Sequence, residues 1–347
     1  MNFNLLDFYQ HWHETLFDPD RIPLALAAIG VSAVAGMVTG PLLGNAYPAF
    51  WSVFDKLAGG FGDKLDRLHR SRADLLFRGF VFASIMLILG VLTGKYLEIA
   101  ADSYPLYGFS HVFLLSALIT SGAIWFSLLK FYFAIEKKTV GKGAYYAISR
   151  TTRINLNSVD EFGITRTGIS LAARSFDKGM VAPLIWFLIG GFPAAFIYST
   201  LSALAWRFGK NGFTKGFGES MLALERLMGS IPSLYAGALL TLAGAFTPTV
   251  KTTDALMAWI RAKNKAPYDQ GGSPLTAMAY ALNLSIGGPK QDIAGSALKN
   301  VWVGPEKASA KTEHKHLRRA IYINVMAHLL FVASLCGAYL WAGKLFG

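Results

Sequence analysis

The sequence predicts an all-α, polytopic helical membrane protein with about six membrane segments. Three observations carry that class. Only 16% of the 347 residues are charged, against about 25% in an ordinary soluble domain. Apolar runs without a charged side chain recur along the chain, at Ile22–Trp51, Gly79–Gly94, Tyr104–Leu129, Met180–Trp206, Met228–Val250 and Ile321–Gly343. The basic residues fall unevenly between those runs. Lys and Arg number 1 before the first run, 6 in 52–78, 1 in 95–103, 9 in 130–179, 4 in 207–227, 11 in 251–320 and 1 at the end.

Taken in order, each element has a local reason. Residues 1–21 open MNFNLLDFYQHWHE, without the basic leader and small-residue cleavage site of a removable signal. Phe3, Leu6, Trp12 and Leu16 would form one apolar face of an interfacial segment. The first run carries Gly36, Gly40 and Gly44 and the second Gly90 and Gly94, a spacing that lets helices approach closely. The fourth run contains Gly190-Gly191-Phe192-Pro193 near its middle, where a helix breaks. That break leaves two readings open, one simple span or a re-entrant hairpin. The hairpin would return Arg207, Lys210, Lys215 and Arg226 to the basic side.

Alternation of basic charge is the signature of loops held on the cytoplasmic side of a membrane. It predicts 52–78 and the two large basic loops, 130–179 and 251–320, on that side, with both termini outside. The expected address is a bacterial inner membrane, the first partner is the lipid bilayer, and the chain reads as one integral membrane domain over 1–347. Topology accounts for most of the net charge of +12, so no nucleic-acid partner is implied. The single cysteine, Cys336, precludes an intramolecular disulfide. The histidine pairs His11/His13 and His314/His316 are two residues apart, which on a helix turns them about 200° from one another and unsuits them to one metal. No metal site is expected, and catalytic residues are not identifiable from spacing alone. Gly90-Val-Leu-Thr-Gly94-Lys95 has the wrong spacing for a phosphate-binding loop.

Five motifs in order add more. DKGMVAPLIWFLIGGFPAAF (177–196), the DPDRIP segment at 18–23, Ser149-Arg150-Thr151-Thr152, KNGFTKGFG with LERLMGSIP (210–232), and SPLTAMAYALNLSIGGP (273–289) run nearly the length of the chain. Together they resemble the CobD/CbiB family of cobalamin biosynthesis, membrane proteins assigned as adenosylcobinamide-phosphate synthases. The resemblance implies ATP-dependent joining of an aminopropanol, or its phosphate, to a corrinoid carboxyl, with ATP and Mg²⁺ as cofactors if that activity is retained. It also implies substrate-binding roles for Arg150, Thr152, Lys210, Asn211 and Glu225.

Departures from the family pattern share one chemistry. Acids or amides of the pattern are replaced at Thr151, Ser170, Arg174, Ser175, Lys178, Arg226 and Leu275. Mg²⁺ takes carboxylate and water oxygens, whereas Arg174 and Lys178 bring positive charge to those positions. Two functions therefore compete: a cobalamin-pathway ligase, and a catalytically inactive family member that works as a membrane interaction or regulatory subunit with a membrane protein partner. No charged residue lies in the middle of a run, which disfavours a transporter.

Overall fold

The computed structural model describes residues 18–43, 46–67, 69–104, 108–137, 142–209, 216–247, 252–261, 264–293, 295 and 297–346. The expected interfacial segment lies almost wholly outside them, as do His11, His13, Lys210 and Asn211. The chain is 78% helical, as the sequence predicts. Its principal helices are α1 (Arg21–Leu43), α2 (Arg72–Asp102), α3 (Phe109–Leu118), α4 (Gly122–Glu136), α5 (Lys142–Thr152), α6 (Glu161–Phe176), α7 (Ala182–Phe208), α8 (Glu219–Ala245), α9 (Gly272–Leu282) and α10 (His314–Phe346). Two short antiparallel ladders follow α9, with β1 (Ile286–Gly287) on β4 (Trp302–Val303) and β2 (Lys290–Gln291) on β3 (Ala297–Leu298). Among the described residues five helical stretches are long and apolar enough to cross a membrane, and α3 with α4, bent by 42°, makes a sixth if the pair is one span.

The glycines pack helix on helix. A Cβ at Gly36 would fall 2.0 Å from Ala123 N, and one at Gly94 would fall 2.9 Å from Pro193 Cα. Gly36 and Gly40 thus seat α1 on α4, while Gly90 and Gly94 seat α2 on α7. Outward faces carry bare hydrocarbon, with Val34, Ile88, Leu92, Leu227 and Ile231 all exposed. That is the pattern of helices whose outer surface meets lipid.

The break in the fourth run reverses the chain. Gly190 and Gly191 are non-helical, and Gly191 has φ 62° and ψ −156°, a region essentially reserved for glycine. Just before it, Arg21 Nη1, at the start of α1, donates to the Leu188 carbonyl. Well beyond it, Trp206 Nε1 donates to the Thr151 carbonyl (2.8 Å), and the Thr151 hydroxyl accepts from Ala46 N–H (3.2 Å), past the other end of α1. The 23 residues of α1 rise about 34 Å, and the arm from Phe192 to Phe208, rising about 25 Å, runs back along most of it. Its contacts with α2 agree, from the Phe192 N–H on Glu98 to the ring of Phe208 on Phe82. Glu161–Phe208 is therefore a helical hairpin, and the hairpin reading of the sequence fits while the simple span does not.

The reversal brings the basic loops to one end. Arg207 pairs with Asp55 and Asp63, and Arg72 with Glu219, tying 207–227 to 52–78. His314, opening α10, meets Tyr132 near the end of α4. Reporters inserted at residues 70, 150, 220 and 300 should therefore all report one side of the membrane, and an insertion at 191 the other. Opposite signals from 70 and 220 would break the hairpin assignment.

Candidate functional site

A cleft opens between the arms of the hairpin at the basic end. Helix α6 supplies one wall. Thr167, Ser170, Arg174 and Lys178 line the cleft at steps of three to four residues, the spacing of a single helical face. The last of them lies in a π-helical turn, Asp177–Val181, which joins α6 to α7 and is buried on every residue. Such turns place side chains that a regular helix would rotate away. Opposite stand Trp206 and Arg207 from the end of α7, with Tyr47 and Trp51 beside them. Tyr47 and Trp51 both pack on Trp206, with ring centroids 5.1 and 5.5 Å away. Lys290 and Asp292, from the β-rich segment, complete the cleft.

The floor is a buried ion pair. Lys178 Nζ lies 2.8 Å from Glu225 Oε2, with the two side chains 6% and 1% exposed. Ser202 Oγ donates to the other carboxylate oxygen at 3.1 Å. Lys178 also stands 4.4 Å above the Tyr268 ring, whose hydroxyl donates to the Glu225 carbonyl at 3.2 Å. Burial, then the neighbouring Tyr198, Glu225 and Asp177, push the Tyr268 hydroxyl pKa up, so it stays a donor. Taking two ions out of water costs several kcal/mol each, so such a pair depends on close geometry and on these extra contacts. Asp177 is buried beside the pair, and its two oxygens accept no hydrogen bond among the described residues.

Charge is lopsided along the walls. Arg153, Arg174, Lys178, Arg207 and Lys290 line the cleft with one carboxylate, Asp292, while Glu225 pairs with Lys178 and Asp55 and Asp63 pair with Arg207 behind the lining. Arg153 reaches it because its own φ of 56° turns the chain out of α5, which sets its guanidinium 5.5 Å above the Trp206 ring. Burial, then Arg207, lower the Arg153 pKa. Lys290 Nζ donates to Thr167 Oγ1 at 2.9 Å. A cavity walled this way attracts carboxylates and phosphates.

A family model described as CobD/Cbib protein matches residues 41–324. The chain belongs to that family. Among curated proteins it is 26% identical over 237 residues to the cobalamin biosynthesis protein CobD of Brucella anthropi, covering 67% of this chain and 72% of that one. It is 27% identical over 205 residues to CobD of Brucella suis, covering 57% and 62%. With CobD of a Sinorhizobium species it is 26% identical over 269 residues, covering 75% and 81%. No solved structure matches the chain.

Most of the positions singled out in this CobD/Cbib chain meet at the cleft. Thr151, Thr152, Ser170, Arg174, Ser175, Lys178 and Leu275 line it, and Glu225 lies beneath. Three of the hydroxyls turn to local carbonyls: Thr152 donates to Ile148, Ser170 to Arg166 and Ser175 to Ala172. Arg150 and Arg226 are exposed and outside the lining. Arg153, one turn beyond Arg150, takes the place that the motif suggests for an arginine. Reasoning from sequence also passed over Thr167, Lys290, Asp292, Trp206 and the Tyr47–Trp51 pair. Lys178, one of the residues that replace acids of the family pattern, is buried against Glu225.

Removing one partner of this pair leaves the other buried and unmatched, which costs about 3–5 kcal/mol. Lys178→Met and Glu225→Gln should each lower the melting temperature of the detergent-solubilised protein, and Lys178→Met with Glu225→Leu should recover most of the loss. Equal melting temperatures for the wild type and both single variants would show the pair open to water.

Proposed function

We propose that this chain serves cobalamin biosynthesis in the membrane by holding an anionic pathway compound in its cationic cleft, without itself driving amide formation from ATP. The carrying observation is the pair of guanidinium groups, Arg153 and Arg174, in a cleft whose lining holds one carboxylate, Asp292, while Lys178 and Arg207 are matched by Glu225 and by Asp55 and Asp63 behind it. A corrinoid side-chain carboxylate or a phosphate meets those groups with matched charge, and Arg153 and Arg174 offer planar, bidentate donors for either. Membership of the family and the names of its relatives support the pathway. The amide-forming ligase that the family resemblance implies is the competing reading.

The residues present do not fit a Mg²⁺–nucleotide. Among the described residues no three His, Cys, Asp or Glu side chains gather as ligands. Glu225, the acid retained from the family pattern, is engaged by Lys178. A dication brought to about 4 Å from the Arg174 guanidinium, which lines the same cleft, would meet repulsion on the order of 8 kcal/mol at an effective dielectric near 20. The activating step then belongs to another protein, with this chain as its membrane-bound partner on the cytoplasmic face of a bacterial inner membrane.

Binding and complementation test this together. The purified protein should bind inorganic phosphate or a corrinoid polycarboxylate, Arg174→Ala should weaken that affinity about tenfold, and Mg²⁺ should not raise affinity for ATP. Expression in a strain lacking the synthase should not restore growth that requires cobalamin synthesis. Restored growth, or robust amide formation by the purified protein, would establish the ligase instead.

A further inference from the structure

Two lysines are buried along the cleft, and their electrostatic surroundings are opposite. Lys178 has a carboxylate at 2.8 Å. Lys290, 7% exposed, reaches the cleft from β2 and finds a hydroxyl: its Nζ donates to Thr167 Oγ1, and that hydroxyl donates onward to the Gly163 carbonyl at 2.8 Å. Among the described residues no carboxylate pairs with Lys290. Asp292, two residues further on, acts on Arg153. The charges that act on Lys290 are those of Arg166 and Arg174, both from α6. Burial first, and the two guanidinium groups second, lower its pKa from 10.5 to about 7. A desolvated lysine beside other cations is the setting that turns an amine into a nucleophile at neutral pH.

We propose that Lys290 is a carbonyl-trapping nucleophile, whose free amine adds to an aldehyde or ketone bearing a carboxylate or phosphate and forms an imine inside the cleft. The nitrogen lone pair makes the new C–N bond, and the carbonyl oxygen takes up a proton to give a carbinolamine. One amine proton is released as the carbinolamine forms, and its hydroxyl, protonated from solvent, leaves as water to give the protonated C=N; no oxidant or reductant is consumed. The protonated imine retains one N–H for the Thr167 hydroxyl, which fixes its direction. Lys178 does not compete, because it is buried and engaged by Glu225 at 2.8 Å. Preference for an anionic carbonyl compound rests on the anion-binding reading of the cleft given above, whereas the reactivity of the amine stands on the surroundings of Lys290 alone.

Reductive trapping tests both parts on the unmodified full-length protein in detergent. The protein is incubated with glyoxylate or with uncharged propionaldehyde and cyanoborohydride, from about pH 6 to about pH 9, and modified lysines are mapped by peptide mass spectrometry. Lys290 should be modified by both aldehydes with a midpoint near pH 7, while Lys178, buried against Glu225, stays unmodified. Glyoxylate should react about tenfold faster than propionaldehyde at Lys290. Absence of a Lys290 adduct with either aldehyde, or a rate at Lys290 still rising at about pH 9, overturns the nucleophile. A neutral-pH midpoint with no preference for glyoxylate overturns the anionic class of carbonyl, and with it the anion reading of the cleft, while the nucleophile stands. Lys290→Arg, checked for an unchanged melting temperature, should remove the adduct and so confirm its site.

Discussion

An ion pair placed where water is scarce governs this molecule. Lys178 and Glu225 come from two different long helices, and neither charge is tolerable there without the other. Satisfying them recruits Ser202 from the returning arm of the hairpin and Tyr268 from the loop before α9. Four segments distant in sequence are therefore fixed around one point. The same pair decides what the cleft above it can do. Its carboxylate faces a lysine rather than the opening, so the acid that survives from the family pattern is structural in its effect.

The basic residues carry two meanings that a count along the chain merges into one. Alternating charge is enough to assign loops to sides, and the fold gathers those loops at one end, as that assignment requires. Yet Arg153, Arg174 and Lys178 belong to the loop 130–179 and Lys290 to the loop 251–320, and all four line the cleft. Charge that alternates along the chain also lines the cleft. Topology alone accounts for their number but not for their convergence.

How much was legible follows from the range of each cause. Apolar length, the Gly190–Pro193 break and the four-residue glycine spacing are local, and each survives into the helices, the reversal and the close packing of α1 on α4. The choice between span and hairpin needed long-range contacts, chiefly Trp206 on Thr151. Positions around the cleft were partly legible through motif order: Arg174, Ser175, Lys178 and Leu275 converge, while Arg150 points outward. Arg153 was hidden because its reach depends on a left-handed backbone angle that a non-glycine residue seldom adopts. Lys290 was hidden for another reason. It sits in two residues of strand, too short for any periodic signal, and its environment is made by α6, more than a hundred residues earlier.

The aromatic wall has an optical consequence. Trp51 and Trp206 lie with ring centroids 5.5 Å apart, Tyr47 is stacked alongside, and the Arg153 guanidinium covers one indole. Indole emission responds to nearby charge and to any chromophore within a few ångströms, so these rings form a built-in fluorophore pair at the mouth of the cleft. A coloured macrocycle seated there would darken them by energy transfer, and a colourless anion that drew Arg153 aside would shift their emission instead. The protein thus carries its own spectroscopic gauge of what occupies it.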